Sequence, residues 1–232
     1  GEKLVLRLLD NDFLGQLRGK NKAEFWASLG FNAEQQIDLR NSLAALDGLI
    51  IVSGPTGSGK STLLYACLES LNTESNNIIT IEDPIERKIA GINQCEISSR
   101  NDVTGAKVLK DIMRQDPDVI LVGEVRDSEL AKMVLTAAST GHLVLTSVHA
   151  ANCIETITRF EHLGIPPEAL VNKTRLFVSQ RLLPANCQNC CQDQTPTNDL
   201  ASIFGLSRGA KIKISTGCEQ CSGTGIRGRI AL

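Results

Sequence analysis

The sequence predicts an α/β fold: a mostly parallel sheet wound around one phosphate-binding turn, followed by a small cysteine-bearing module. Three observations carry this expectation. Gly54-Pro55-Thr56-Gly57-Ser58-Gly59-Lys60-Ser61 is a complete G-x-x-x-x-G-K-S loop, entered from the apolar run 49–52 and left through the helix-compatible run 62–68. Three further apolar runs, 78–81, 119–123 and 143–148, are continuous rather than alternating, as strands covered on both faces are. Finally, Cys187-x-x-Cys190 is answered by Cys218-x-x-Cys221.

Composition narrows the classes of function. With 232 residues the chain can bury one large core or two small ones. A net charge of −2 gives no bulk electrostatic case for nucleic acid or an anionic membrane. No run of about 18 apolar residues occurs, and no tripartite secretory signal opens the chain, so a soluble, cytoplasmic protein is expected. Its eight cysteines then sit in a reducing compartment, where ligand or core roles outrank disulfides.

In chain order, residues 1–30 read as the remnant of an upstream domain and its linker. Leu4, Leu6 and Leu8 alternate as in a strand, and Gly15 and Gly19 loosen the polar stretch that follows. A helix is expected from Asn32 or Ala33, with Ile37, Leu39, Leu43 and Leu46 as its apolar side and Gly48 at its end. Helices are also expected over 106–115 and 127–140, the latter with Asp127 as N-cap and Gly141 just beyond. The nucleotide-binding core is assigned to 31–185 and the cysteine module to 186–232.

In an open α/β sheet ligands bind beyond the carboxyl ends of the strands, and here each such end carries chemistry. The glycines let backbone N–H groups turn toward one anion at a helix N-terminus, Lys60 reaches the β- and γ-phosphates, and Ser61 takes a place on Mg²⁺ with Thr62 beside it. Phosphoryl transfer then needs a group that orients water. Glu124 stands after the 119–123 strand in the position for this, and Glu82 and Glu86 compete for it. His149 reads either as a γ-phosphate sensor or as a structural imidazole at a strand end. GTP would call for an Asn-Lys-x-Asp base reader; Asn172-Lys173-Thr174-Arg175 lacks the Asp, so ATP is expected.

Each Cys-x-x-Cys pair lets two thiolates face one ion, and four thiolates suit a structural Zn²⁺. Cys191 is a fifth candidate, and a set of free thiols is the alternative. A nucleic-acid-reading zinc ribbon fits poorly, because 192–207 has no Lys, Tyr or Trp and Arg208 is its one base-contact candidate. Cys67, Cys95 and Cys153 read as small apolar side chains.

The order of Gly54 to Ser61, then Thr80-Ile81-Glu82-Asp83-Pro84-Ile85-Glu86, then Arg114-Gln115-Asp116-Pro117-Asp118-Val119-Ile120-Leu121-Val122-Gly123-Glu124-Val125-Arg126-Asp127, then Thr140-Gly141-His142 through His149, resembles the secretion ATPase superfamily. More narrowly, it resembles the type II secretion and type IV pilus assembly ATPases, whose assembly branch carries a four-cysteine zinc module. The resemblance implies a RecA-like core in a homo-hexameric motor on the cytoplasmic face of the inner membrane. Such a motor couples ATP hydrolysis to pilin or pseudopilin assembly and meets the membrane through platform proteins, with no direct nucleic-acid contact. It implies that arginines complete each site by neutralising charge on the γ-phosphate. Arg7, Arg114 and Arg126 match by motif, with Arg227 and Arg229 as weaker candidates. Lys110 departs from the family by replacing an arginine, and 94–105 lacks the usual Phe and, ahead of Gly105, the usual Gly. A retraction motor, a DNA-uptake motor and a non-hydrolysing nucleotide-gated adaptor are the alternatives.

Overall fold

The computed structural model describes residues 22–97, 103–207 and 209–232. Arg7, the strand expected near the amino terminus, the linker glycines and Arg208 lie outside them. The chain divides into two compact units after Arg181, so strand Leu182–Asn186 belongs to the second unit and not to the core that was expected to reach residue 185.

Among its described residues the first unit holds a six-stranded, all-parallel sheet: β1 (Gly48–Ser53), β2 (Ile78–Glu82), β3 (Asn93–Glu96), β4 (Val119–Val122), β5 (Leu143–Val148) and β6 (Thr174–Ser179), in the order β3-β2-β4-β5-β1-β6. The four central strands are buried at every position, which is why they read as continuous apolar runs. Successive residues feed opposite faces. Leu49, Ile51, Ile79, Ile81, Ile120, Val122 and Val144 pack on one side against α4 (Gly105–Ile112), α5 (Ser128–Ser139), α6 (Cys153–His162) and α7 (Pro167–Lys173). Ile50, Val52, Ile78, Leu121 and Leu145 pack on the other against α1 (Lys22–Ser28), α2 (Ala33–Leu43) and α3 (Lys60–Leu71). Burying each such side chain contributes about 1.5–3 kcal/mol.

Several expectations change. Residues 22–29 are no linker: α1 brings Trp26, 1% exposed, into the core, edge-on to Phe25 and Phe31. Helix α2 begins at Ala33, within the expected start, and is capped by Asn32, which exchanges hydrogen bonds with Gln35 in a capping box. Its buried side is Gln36, Leu39, Ser42 and Leu43, while Ile37 and Leu46 are 51% and 89% exposed. Gly48 opens β1, since the helix has already ended at Leu43. Helix α4 stops at Ile112, ahead of the expected 115. Within this sheet, the edge strands β3 and β6 are the strands the sequence did not announce. β3 is polar (Asn-Gln-Cys-Glu), and β6 is only half-buried, so neither produces an apolar run.

The second unit holds two antiparallel pairs, β7 (Leu182–Asn186) with β10 (Ile226–Ala231) and β8 (Cys191–Gln194) with β9 (Ile212–Ser215), plus α8 (Asn198–Ile203) and a 3₁₀ turn, Glu219–Cys221. Among its described residues the only buried apolar side chains are Cys187 and Cys221.

Candidate active site

Strand order sets the site. β4, β5 and β1 are adjacent, so the residues after their carboxyl ends, Glu124, His149 and the phosphate loop, emerge side by side. Gly54, Gly57 and Gly59 have φ of 152°, 77° and 89°, a region that side chains avoid. Helix α3 begins at Lys60 with Gly59 as a left-handed cap and no side chain bonded to its first amides. Those amides and Ser61 and Thr62 form a helix N-terminus suited to an anion. Pro55, Thr56 and Gly57 are the exposed tip of the loop. The Ser58 hydroxyl, by contrast, is buried, and no described residue bonds it. An orphaned polar atom inside a turn of this conformation fits a loop made to receive a ligand's polar atoms.

The Lys60 ammonium, 8% exposed, donates to the carbonyls of Gly54 (2.9 Å) and Pro55 (3.1 Å) and lies 3.5 Å from His149 Nδ1. Burial pushes its pKa below the ordinary lysine value, against the attraction of Glu124 and Glu86. On the other side of the imidazole, His149 Nε2 is 3.3 Å from Glu124 Oε1. An ammonium can only donate, so this arrangement assigns Nδ1 as acceptor and places the proton on Nε2, facing Glu124. Glu124 Oε2 accepts from Arg126 Nε at 2.9 Å, and Arg126 also reaches Asp83 at 3.4 Å.

Glu82 occupies different surroundings. Buried at 5% exposure, its carboxylate accepts from the Tyr65 hydroxyl, Thr80 Oγ1 (2.6 Å) and Gln94 Nε2 (3.1 Å). Burial, together with Glu82, pushes the Tyr65 phenol well above its usual pKa. Glu86 is half-buried, and its backbone N–H donates to Tyr65 Oη at 3.1 Å.

Among the described residues of the first unit, Arg126 and Arg114 lie at opposite ends of the strands. Arg126 is in the site. Arg114 follows α4 at the amino ends of the strands, where the carbonyls of Gln115 and Asp116 accept from Asn77 just ahead of β2. Arg227, in the second unit, donates to Gln220. Sequence reasoning missed Tyr65, Thr80, Gln94 and Asp83. The one available signal was a tyrosine hydroxyl within the otherwise apolar run 63–68, a group that needs a partner once buried.

In the second unit the sulfurs of Cys187, Cys190, Cys218 and Cys221 all lie within 4.8 Å of one another. Separations of 3.9, 3.9 and 3.7 Å are those of Cys187–Cys218, Cys190–Cys221 and Cys218–Cys221. A tetrahedron with metal–sulfur distances of about 2.3 Å has edges of about 3.8 Å, so the four fit one zinc. Donors already face the sulfurs: Asn189 Nδ2 on Cys218 (3.3 Å), and the N–H groups of Cys218 (3.1 Å) and Gly225 (3.2 Å) on Cys221. The Asn189 bond is the main reason the Cys218 thiol comes down to about 6. Cys191 is not in the cluster but pairs with Ser215 in the β8–β9 ladder. Cys67 is buried, and its thiol is pushed up to about 12.

The family model for type II/IV secretion system proteins matches residues 1–232. This chain belongs to that family. Among curated relatives of this secretion-system chain, type II secretion system protein E of Pectobacterium carotovorum subsp. carotovorum is 41% identical over 233 residues, covering all of the chain and 45% of the relative. The type II secretion system ATPase E of Vibrio cholerae is 38% identical over 235 residues, with the same coverage. The chain thus spans less than half the length of these relatives. Among solved structures, the pilus retraction motor PilT with bound ADP superposes with a TM-score of 0.61 at 33% identity, over 82% of this chain and 51% of that one. The Legionella pneumophila ATPase DotB gives 0.58 at 27%, over 68% and 46%. The secretion-family chain therefore has the α/β core with a mostly parallel sheet that its sequence predicted. No helix among the described residues is long and apolar enough to cross a membrane.

Proposed function

We propose that this chain is the catalytic part of an ATP-hydrolysing motor serving type II secretion or type IV pilus assembly. One relation carries the reading: Lys60 of the phosphate loop and Glu124 at the end of β4 are linked through His149, at 3.5 and 3.3 Å. Residues 54–62 hold the nucleotide phosphates, and Lys60 gives up its own loop carbonyls for the β- and γ-phosphates. The Ser61 hydroxyl is the ligand this chain offers Mg²⁺, which when bound neutralises phosphate charge. Glu124 orients the attacking water. Glu82 is the poorer candidate, since its carboxylate oxygens are already engaged by Tyr65, Thr80 and Gln94. His149 stands where it can report on the γ-phosphate, and Arg126 adds positive charge beside Glu124.

The reading extends to partners. Arg114, at the amino ends of the strands and so at the other end of the sheet from its own site, would serve a neighbouring subunit of a homo-hexamer, as would Arg7. Cys187, Cys190, Cys218 and Cys221 hold one structural Zn²⁺. The motor works in the cytoplasm, peripheral to the inner membrane, docked on platform proteins. The likeness to PilT favours a retraction motor as second reading, and the cysteine cluster weighs against it.

Mg²⁺-dependent ATP turnover of the full-length protein tests the assignment. Wild type should hydrolyse ATP, and Glu124→Gln should bind it without turnover. Binding without hydrolysis by wild type would leave the adaptor reading.

A further inference from the structure

Tyr65 lies in α3, which begins at Lys60, so it is built on the same rigid rod as the phosphate loop. Its side chain is 5% exposed. A phenolic oxygen offers one proton and accepts two hydrogen bonds, and all of this capacity is used. The hydroxyl donates to Glu82 at the end of β2 and accepts from the backbone N–H groups of Glu86 (3.1 Å) and Arg87 (3.3 Å).

The loop after β2 is tied down at further points. The Arg87 guanidinium meets Glu69, one turn beyond Tyr65 on α3, at 2.8 Å. Gln94 on β3 donates to the Arg87 carbonyl (2.9 Å) and to Glu82 (3.1 Å), while accepting from the Ile89 N–H (2.8 Å). The segment carrying Glu86 is therefore fixed to α3 on one side and to β3 on the other. Glu86 is one of the acids whose charge acts on Lys60.

We infer that Tyr65 is a positioning residue: its hydroxyl couples the phosphate-loop helix to the loop that holds Glu86, and so sets where Glu86 stands relative to Lys60 and the bound nucleotide. This rests on the reading of the site as an ATPase. A shift of a positioned group by an ångström or less is enough to change a rate by orders of magnitude, whereas nucleotide affinity is supplied by the loop itself. Tyr65 acts through Glu86 and touches no reacting atom.

The test is a double-mutant cycle on the full-length protein, reading ATP affinity, KM and kcat. Tyr65→Phe keeps the buried ring, and it should bind ATP within about twofold of wild type while kcat falls roughly tenfold. In a Glu86→Gln background the same change should lower kcat by less than about twofold, because the placement it disrupts no longer matters. A role confined to holding the fold would instead multiply the two losses. Gln94→Met, which releases the same segment from its β3 side, should show the same dependence on Glu86 and decides the matter if Tyr65→Phe does not fold. A full-strength kcat in Tyr65→Phe, or equal losses in both backgrounds, overturns the inference while leaving the ATPase reading in place. No turnover by wild type removes both.

Discussion

Gly54 and Gln180 are in backbone contact: a Cβ on Gly54 would fall 2.4 Å from the Gln180 carbonyl oxygen and 2.5 Å from Ser58 Oγ. Gln180 is itself held there, since its N–H donates to Ser53 at 2.9 Å. The end of β6 is thus clamped against the entry to the phosphate loop, and no side chain fits between them. Gly54→Ala is expected to displace the loop and weaken ATP binding by roughly tenfold or more, with the core intact by circular dichroism. An unchanged affinity by titration calorimetry would show that the Gln180 backbone yields.

The phosphate-loop lysine and the β4 glutamate separate binding from chemistry. Burial lowers the Lys60 pKa from 10.5, so the unfolded chain holds that proton more tightly and the charged ammonium weakens the nucleotide-free fold at neutral pH. The burden is present below the folded-state pKa and fades as pH rises through it toward the unfolded value. Lys60→Met should therefore melt no lower than wild type without nucleotide. It should also lose the nucleotide-induced stabilisation, about 2.7 kcal/mol at a ligand concentration 100 times Kd. Glu124→Gln should keep that stabilisation and lose turnover. A scan of Tm against ATP for both variants checks the pair.

Cys187 and Cys221 are the only buried apolar side chains described in the second unit, so on the zinc reading the metal would supply what a core otherwise does. One zinc per chain is expected by elemental analysis of protein purified without chelator. Chelation should disorder residues 182–232 while ATP binding persists. Cys191→Ser should retain zinc, because Cys191 lies in the β8–β9 ladder outside the cluster. Zinc-free protein whose amide-exchange protection in this unit survives chelator would refute the assignment.

Trp26, 1% exposed beside Phe25 and Phe31, and Leu29 belong to the first unit's core. Trp26→Ala is expected to cost about 3–5 kcal/mol in chemical denaturation. A loss below about 1 kcal/mol would mean that α1 packs only marginally.

The sequence by itself determined the central strands, the phosphate loop and the cysteine pairs. Each rests on local rules: a strand buried on both faces must be apolar throughout, a left-handed turn needs glycine, and two thiolates on one ion need a short gap. The same rules placed Asp127 at the start of α5, where its carboxylate accepts from Leu130. Only the tertiary structure decided what depends on neighbours distant in sequence. The strand order set Glu124 and His149 beside Lys60, and the chain direction left Arg114 at the amino ends of the strands. Tyr65, Thr80 and Gln94, from α3, β2 and β3, engaged the carboxylate of Glu82, which in the sequence is as plausible a water-orienting acid as Glu124. Local pattern says that a carboxylate stands at a strand end; whether it is free to do chemistry depends on which donors the fold brings to it, and those come from other elements.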